Sequence, residues 1–160
     1  MYLRSAGAIR CMIKSMMVYL ASDHAGFALK EKIKAFLIDA GYAVKDFGAF
    51  AYEAEDDYPD FVAKAAEVVA ENPAEDRAVV FGGSGQGEAM VANRYKGVRA
   101  VVYYGGPKEI VKLSREHNNA NVLSIGARFV KEDEALAAVK LWLETPFSGE
   151  ERHARRLAKF

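Results

Sequence analysis

The 160-residue chain is poor in several things that would otherwise decide its class. It has one cysteine, Cys11, four prolines and one tryptophan. A single thiol excludes an internal disulfide and a thiolate-built metal cluster, and it suits a reducing compartment, with the cytoplasm as the expected location. An excess of charge of either sign is also missing. Lys and Arg number 22, as do Asp and Glu, so the formal net charge is zero and nothing recommends a nucleic-acid partner. No apolar run is long enough to span a membrane, and no internal repeat, linker or low-complexity tract interrupts the chain. What is present is 51% hydrophobic and 28% charged, an ordinary globular composition. At this length a single domain can bury about 70% of the surface its unfolded chain exposes.

The first 16 residues, MYLRSAGAIRCMIKSM, stand apart because regular patterning begins only at Met17. They contain no acid, and Arg10 and Lys14 interrupt any secretory apolar core. They read as an extension, disordered or due to an upstream start, with an organelle transit peptide as the alternative. The domain is assigned to residues 17–160.

From Met17 onward, short β-rich runs alternate with longer amphipathic segments, the signature of successive βα units on a parallel sheet. Strands are predicted at 17–22, 43–46, 77–81, 98–103 and 121–125. Helices are predicted at 27–40, from Pro59 to about 71, and near 87–95, 107–117, 131–144 and 149–160. Gly41 stops the first helix, and Pro59 suits the first turn of the second. The fold class is α/β: a single-domain three-layer αβα sandwich of Rossmann-like type on a five-stranded parallel sheet. In such sheets ligands bind beyond the carboxyl ends of the strands. Three loops are assigned to that edge: Ser22-Asp23-His24-Ala25-Gly26, the segment VVFGGSGQGEAM (79–90), and Arg115-Glu116-His117-Asn118-Asn119.

The glycine loop meets neither nucleotide fingerprint. It lacks G-x-x-x-x-G-K-[ST], and GGSGQG does not have G-x-G-x-x-G spacing. Its glycines can instead turn backbone N–H groups toward an anion. Glu88 follows at the start of a helix, where an acid is favoured by the helix dipole; beside an oxyanion-binding loop it could equally serve as a general base. Asp23 reads first as a helix cap, and EAEDDYPD (53–60) reads mostly as a solvated acidic loop. His24 and His117 are loop histidines for which no third metal ligand is visible, so no metal is expected. The terminal RHARR places Arg152 and Arg156 four apart on one helical face, where guanidinium groups could complement a helix C-terminus or grip a phosphate.

Together ASDHAGFALK, DDYPDF, GGSGQGE with AN-x-x-x-G-VRA, SREHNNANVLSIGAR and RHARR resemble, in order and spacing, the type B ribose-5-phosphate isomerases, a sugar-phosphate isomerase family that includes the galactose-6-phosphate isomerase subunits. Many members carry a cysteine base at the position of Gly82; this sequence is similar to the branch that uses a glutamate at the position of Glu88. The resemblance implies interconversion of ribose 5-phosphate and ribulose 5-phosphate through a cis-enediolate, without metal or organic cofactor. It implies that Glu88 moves the proton between C2 and C1. Ser84 and the N–H groups of Gly83, Gly85, Gln86 and Gly87 would hold the enediolate. His117 would open the furanose ring and Asn118 would bind a sugar hydroxyl. Asp23 and His24 would wall the pocket, and Arg128, Arg152 and Arg156 would take the phosphate. It further implies a homodimer with shared active sites, a tetramer being left open. The alternatives are isomerisation of a four- or six-carbon sugar phosphate, or a phospho-sugar-binding module without chemistry.

Overall fold

The computed structural model describes residues 16–160. Residues 1–15 of the expected extension, Cys11 among them, lie outside the described residues. Five strands, β1 (Met17–Ser22), β2 (Ala43–Asp46), β3 (Arg77–Gly82), β4 (Ala100–Tyr103) and β5 (Val122–Gly126), form one sheet in the order β2-β1-β3-β5-β4. Every pairing is parallel. Among the described residues six helices connect and follow them: α1 (His24–Asp39), α2 (Tyr58–Glu71), α3 (Gln86–Ala92), α4 (Glu109–Glu116), α5 (Glu132–Glu144) and α6 (Glu151–Leu157).

The period-2 alternation of strand side chains splits the core into two layers. Val18 and Leu20 of β1, Val79 and Phe81 of β3, and Leu123 and Ile125 of β5 pack with Ile33 and Leu37 of α1 and Val139 and Trp142 of α5. Ala21, Ala78, Val80 and Val122 point the other way, against Val62, Ala65 and Val69 of α2 and Ala92 of α3. Central strands apolar on both faces are what a sheet covered by helices on both sides requires.

Boundaries differ from expectation where side chains settle them. The first helix starts at His24 rather than at Phe27, because Asp23 Oδ1 accepts the N–H groups of Ala25 at 2.9 Å and Gly26 at 3.2 Å. Gly26, assigned from the sequence to the loop ahead of the helix, sits inside that first turn for a packing reason. A Cβ there would lie 2.5 Å from Phe81 Cβ, so only glycine lets α1 approach β3. The fourth strand begins at Ala100 rather than at residue 98. Ahead of it the Arg99 N–H donates to Asn121 Oδ1 at 2.7 Å, a side chain standing in for a ladder partner.

Strand order reverses between β1, whose chain continues to β2 on one side, and β3, which continues toward β5 and β4 on the other. That switch point opens a crevice at the carboxyl ends of β1 and β3. The segments leaving those strands are Asp23-His24 and the glycine loop.

Candidate active site

The crevice holds a cleft of about 380 Å³ lined by Asp23, His24, Ala25, Tyr58, Gly83, Ser84, Gly87, Glu88 and Arg128. Its floor is the glycine loop. Gly85 adopts φ +77°, a left-handed conformation suited to glycine, and its carbonyl accepts the Ser124 hydroxyl at 2.6 Å. A Cβ on Gly126 would lie 2.6 Å from Ser84 O, so the loop backbone lies directly on the end of β5 because Gly126 carries no side chain. The Arg128 N–H donates to Gly83 O at 3.1 Å, and its guanidinium lies over Gly83, 3.1 Å from where a Cβ would stand. The exposed Ser84 hydroxyl accepts the N–H of Gln86 at 3.3 Å.

Glu88, in the first turn of α3, is only 3% exposed. Burial raises its carboxyl above the ordinary value, Asp23 raises it further, and a hydrogen bond from its own backbone N–H opposes them. An acid held this way gains proton affinity, the direction a carbon-acid base requires at neutral pH. Glu88 is thus a helix-start acid that stands beside the glycine loop.

His24 lines the same cleft and is tied down from behind. Its Nδ1 is 2.7 Å from Asp56 Oδ1, which also accepts the His24 backbone N–H at 2.9 Å. Asp23, His24 and Asp56 bring three donor atoms within 4.8 Å of one another, a convergence that their chain spacing does not reveal.

His117, Asn118, Arg152 and Arg156 are not in this cleft, which corrects the assignment of the 115–119 loop to the carboxyl edge. A segment that leaves a helix and enters a strand arrives at the strand's amino end, and this one leads from α4 into β5. Its neighbours agree: Asn121, just past it, donates to the carbonyls of Pro73 and Gly97, and Arg99 Nε donates to Asn119 O. The five residues of β5, at about 3.3 Å each, put roughly 15 Å between that loop and the glycine loop.

Three of these four residues, His117, Arg152 and Arg156, gather around His153, whereas Asn118 lines a separate cavity with Val101, Ser114 and Leu123. The His117 ring stacks on that of His153 at 4.1 Å between centroids, 16° from parallel, and the Ser148 N–H donates to Glu116 O at 3.2 Å, seating α6 beside the end of α4. Arg152 and Arg156 are exposed on α6 next to them, while His153 is 3% exposed. Burial, with His117 and Arg152 adding to it, pushes the His153 imidazole below its ordinary value. Arg115 anchors the loop from inside. It is 3% exposed, it donates to the carbonyls of Thr145 and Ala120 and to Asn119 Oδ1, and its guanidinium lies near the Trp142 ring. Burial, then the positive charges of Arg77 and Arg99, lowers it to about 9.

Over residues 18–160 the sequence matches the Ribose/Galactose Isomerase family. The chain belongs to that family. It is 45% identical over 142 residues to ribose-5-phosphate isomerase B of Mycolicibacterium paratuberculosis, covering 89% of this chain and 87% of the relative. Its fold superposes with TM-score 0.87 on ribose-5-phosphate isomerase B of Mycoplasma genitalium, solved with bound ribulose 5-phosphate, at 38% identity over 91% of this chain and 93% of that one. The isomerase of Clostridium thermocellum superposes with TM-score 0.84 at 42% identity, over 90% and 94% of the two chains.

Within this isomerase family member, two residues that sequence reasoning did not single out line or support the cleft. Tyr58 brings its hydroxyl onto the loop, 2.5 Å from where a Cβ on Gly87 would stand. Asp56 belongs to the acidic segment taken as solvated, yet its side chain is 9% exposed. Only the quoted DDYPDF block signalled either of them, and it carries no direction in space.

Proposed function

We propose that the protein interconverts ribose 5-phosphate and ribulose 5-phosphate, with Glu88 as the base that moves the proton between C2 and C1 through a cis-enediolate. The observation that carries the reading is a buried carboxyl of raised proton affinity beside a loop of bare backbone, in a member of the Ribose/Galactose Isomerase family. A proton α to a carbonyl is too weakly acidic for a carboxylate unless the enediolate is stabilised as it forms, and loss of one preorganised oxyanion donor typically costs about 10²–10³ in rate. In this reading the N–H groups of the Gly83–Gly87 loop and the Ser84 hydroxyl receive that oxygen, while Arg128 draws the phosphate to the cleft rim. Membership in a family that includes a relative solved with ribulose 5-phosphate supports the pentose over a four- or six-carbon substrate.

We further propose that a second copy completes each site. His117, Arg152 and Arg156 gather around His153, and with Asn118 they lie at the opposite sheet edge from Glu88, so in this reading one copy supplies base and oxyanion loop. The other copy supplies the ring-opening acid, a sugar-hydroxyl contact and two phosphate-binding arginines. A symmetric pair places two such composite sites at one isologous interface. The protein functions in this reading as a cytoplasmic enzyme of pentose phosphate metabolism.

The deciding experiment is incubation with ribose 5-phosphate in deuterated water. Ribulose 5-phosphate carrying carbon-bound deuterium is expected. Binding without product or label would mean a non-catalytic module, and turnover confined to a four- or six-carbon sugar phosphate in a parallel panel would reassign the substrate.

A further inference from the structure

We propose that Asp56 is a positioning residue for His24, holding the imidazole by Nδ1 so that Nε2 is the ring atom offered to a sugar-phosphate oxygen in the cleft. This deepens the isomerase reading and rests on it for the ligand, but not for the geometry. An ionised carboxylate only accepts hydrogen bonds, so at 2.7 Å from Asp56 Oδ1 the Nδ1 atom must carry the proton. Nε2 is then a lone-pair acceptor for a substrate hydroxyl. When the ring takes a second proton, Nε2 becomes a cationic donor to a phosphate or enediolate oxygen, with Asp56 balancing the charge from behind.

Three features make this a fixed arrangement. The same Oδ1 also accepts the His24 backbone N–H at 2.9 Å, so the carboxylate grips both the ring and its own peptide. Tyr52 meets the ring edge-on, with centroids 5.9 Å apart at 89°, and closes another side. The imidazole keeps 24% exposure and lines the cleft, whereas the Asp56 side chain keeps 9%.

Stability alone does not account for Asp56. Its Oδ2 is buried with no hydrogen-bond partner among the described residues, and a buried acceptor left unsatisfied destabilises the fold. A solvated loop acid would not be held this way. Nor is the Asp23-His24-Asp56 cluster in need of a cation to explain it. Asp23 Oδ1 already accepts two N–H groups at the head of α1, and Asp56 Oδ1 accepts two from His24.

The test uses the full chain with ribose 5-phosphate and nitrogen-15 NMR of the imidazoles, the His24 signals being assigned from their loss in His24→Gln. Wild-type protein is expected to carry the Nδ1–H form. Asp56→Ala removes the acceptor and Asp56→Asn can turn an N–H toward Nδ1, so both are expected to move the proton toward Nε2. Each is expected to lower kcat/KM roughly 10- to 100-fold, the scale on which partners behind a ligating imidazole usually act. If Asp56 works through His24, Asp56→Ala added to His24→Ala costs nothing more than His24→Ala alone. An unchanged tautomer in the Asp56 variants, or losses that multiply in the double variant, would overturn the proposal. Asp56→Asn, nearly isosteric, keeps the test decisive if Asp56→Ala does not fold. Failure of the wild-type protein to isomerise ribose 5-phosphate would overturn the function proposed above and leave the tautomer test standing, since that needs no turnover.

Discussion

Gly82 and Glu88 occupy one shared volume. A Cβ on Gly82 would lie 1.8 Å from Glu88 Oε1 and 2.1 Å from its Cδ, so the carboxylate fills the space that any side chain at 82 would need. The last residue of β3 and the first turn of α3 are thereby coupled. A side chain at 82 and a carboxylate in this place at 88 exclude one another.

Gly82→Ala is therefore expected to damage turnover far more than stability. The atoms displaced are the free end of a flexible side chain, which can rotate out of the way. Removing a base from its working position typically costs about 10²–10⁴ in rate. Steady-state kinetics alongside circular dichroism melts check this; a folded Gly82→Ala variant with wild-type kcat would mean that the Glu88 position does not matter to the chemistry.

Glu88→Gln is expected to lose a similar factor in kcat while raising the melting temperature at neutral pH. Glu88's folded-state proton affinity is raised above the ordinary 4.5, so the folded state holds the proton more tightly than the unfolded chain does. The contribution is complete below the unfolded pKa and is lost as pH rises through the folded one. The wild-type protein should thus lose stability relative to Glu88→Gln as pH climbs from about 4.5 toward neutrality. Parallel melts across that interval read the difference directly, and parallel curves would contradict it.

Composite sites make a mixing prediction. Glu88→Gln and His117→Ala homodimers should each be nearly inactive. When they are unfolded and refolded together, statistical pairing makes half the dimers mixed, and one of the two sites in each mixed dimer is intact. About a quarter of wild-type activity should return. No recovery from a mixture shown by native mass spectrometry to contain mixed dimers would place His117 outside the site that Glu88 serves.

A stability prediction comes from β2. Lys30 of α1 is 0% exposed, and its Nζ lies 2.5 Å from Asp46 Oδ2 and 2.8 Å from Glu31 Oε1, with Lys34 also 2.8 Å from Asp46. Burial pushes the Asp46 carboxyl upward, but hydrogen bonds from Lys30 and Lys34 outweigh it and leave the carboxyl below its ordinary 3.8. Asp46→Ala leaves the buried Lys30 ammonium with Glu31 as its remaining carboxylate, so it is expected to destabilise in urea unfolding by less than the about 3–5 kcal/mol of a fully unpaired buried charge. Because the shift is downward, the stability it represents is present above the unfolded value and is lost as pH falls below about 3.8, so the variant should also lose that acid-side slope.

The sheet was legible because its central strands are apolar on both faces and its helices are not. Val18, Val79 and Leu123 on one side, and Ala78, Val80 and Val122 on the other, carry a signal that survives any error in boundaries. Asp23 was legible as a cap and Glu88 as a helix-start acid because both are properties of a few adjacent residues. The quoted blocks identified the family for the same reason, since they are ordered local patterns.

Other features depend on where distant segments meet. Gly26 reads as a loop residue until Phe81 is found against it. Asp56 reads as one more acid in a polar loop until the fold carries it across 32 positions to His24. His117 reads as a companion of Glu88 until β5 intervenes, because a helix-to-strand loop must enter at the amino end of the strand it feeds. The sequence by itself determined the α/β class, the order of elements and the kinds of group available for chemistry, since these follow from local periodicity and composition. Only the tertiary structure decided which groups face one another. That Glu88 fills the place of a side chain at 82, and that His117 stands with Arg152 and Arg156 at the far edge, follow from strand order and connection geometry, which bring together residues with no local signal of their meeting.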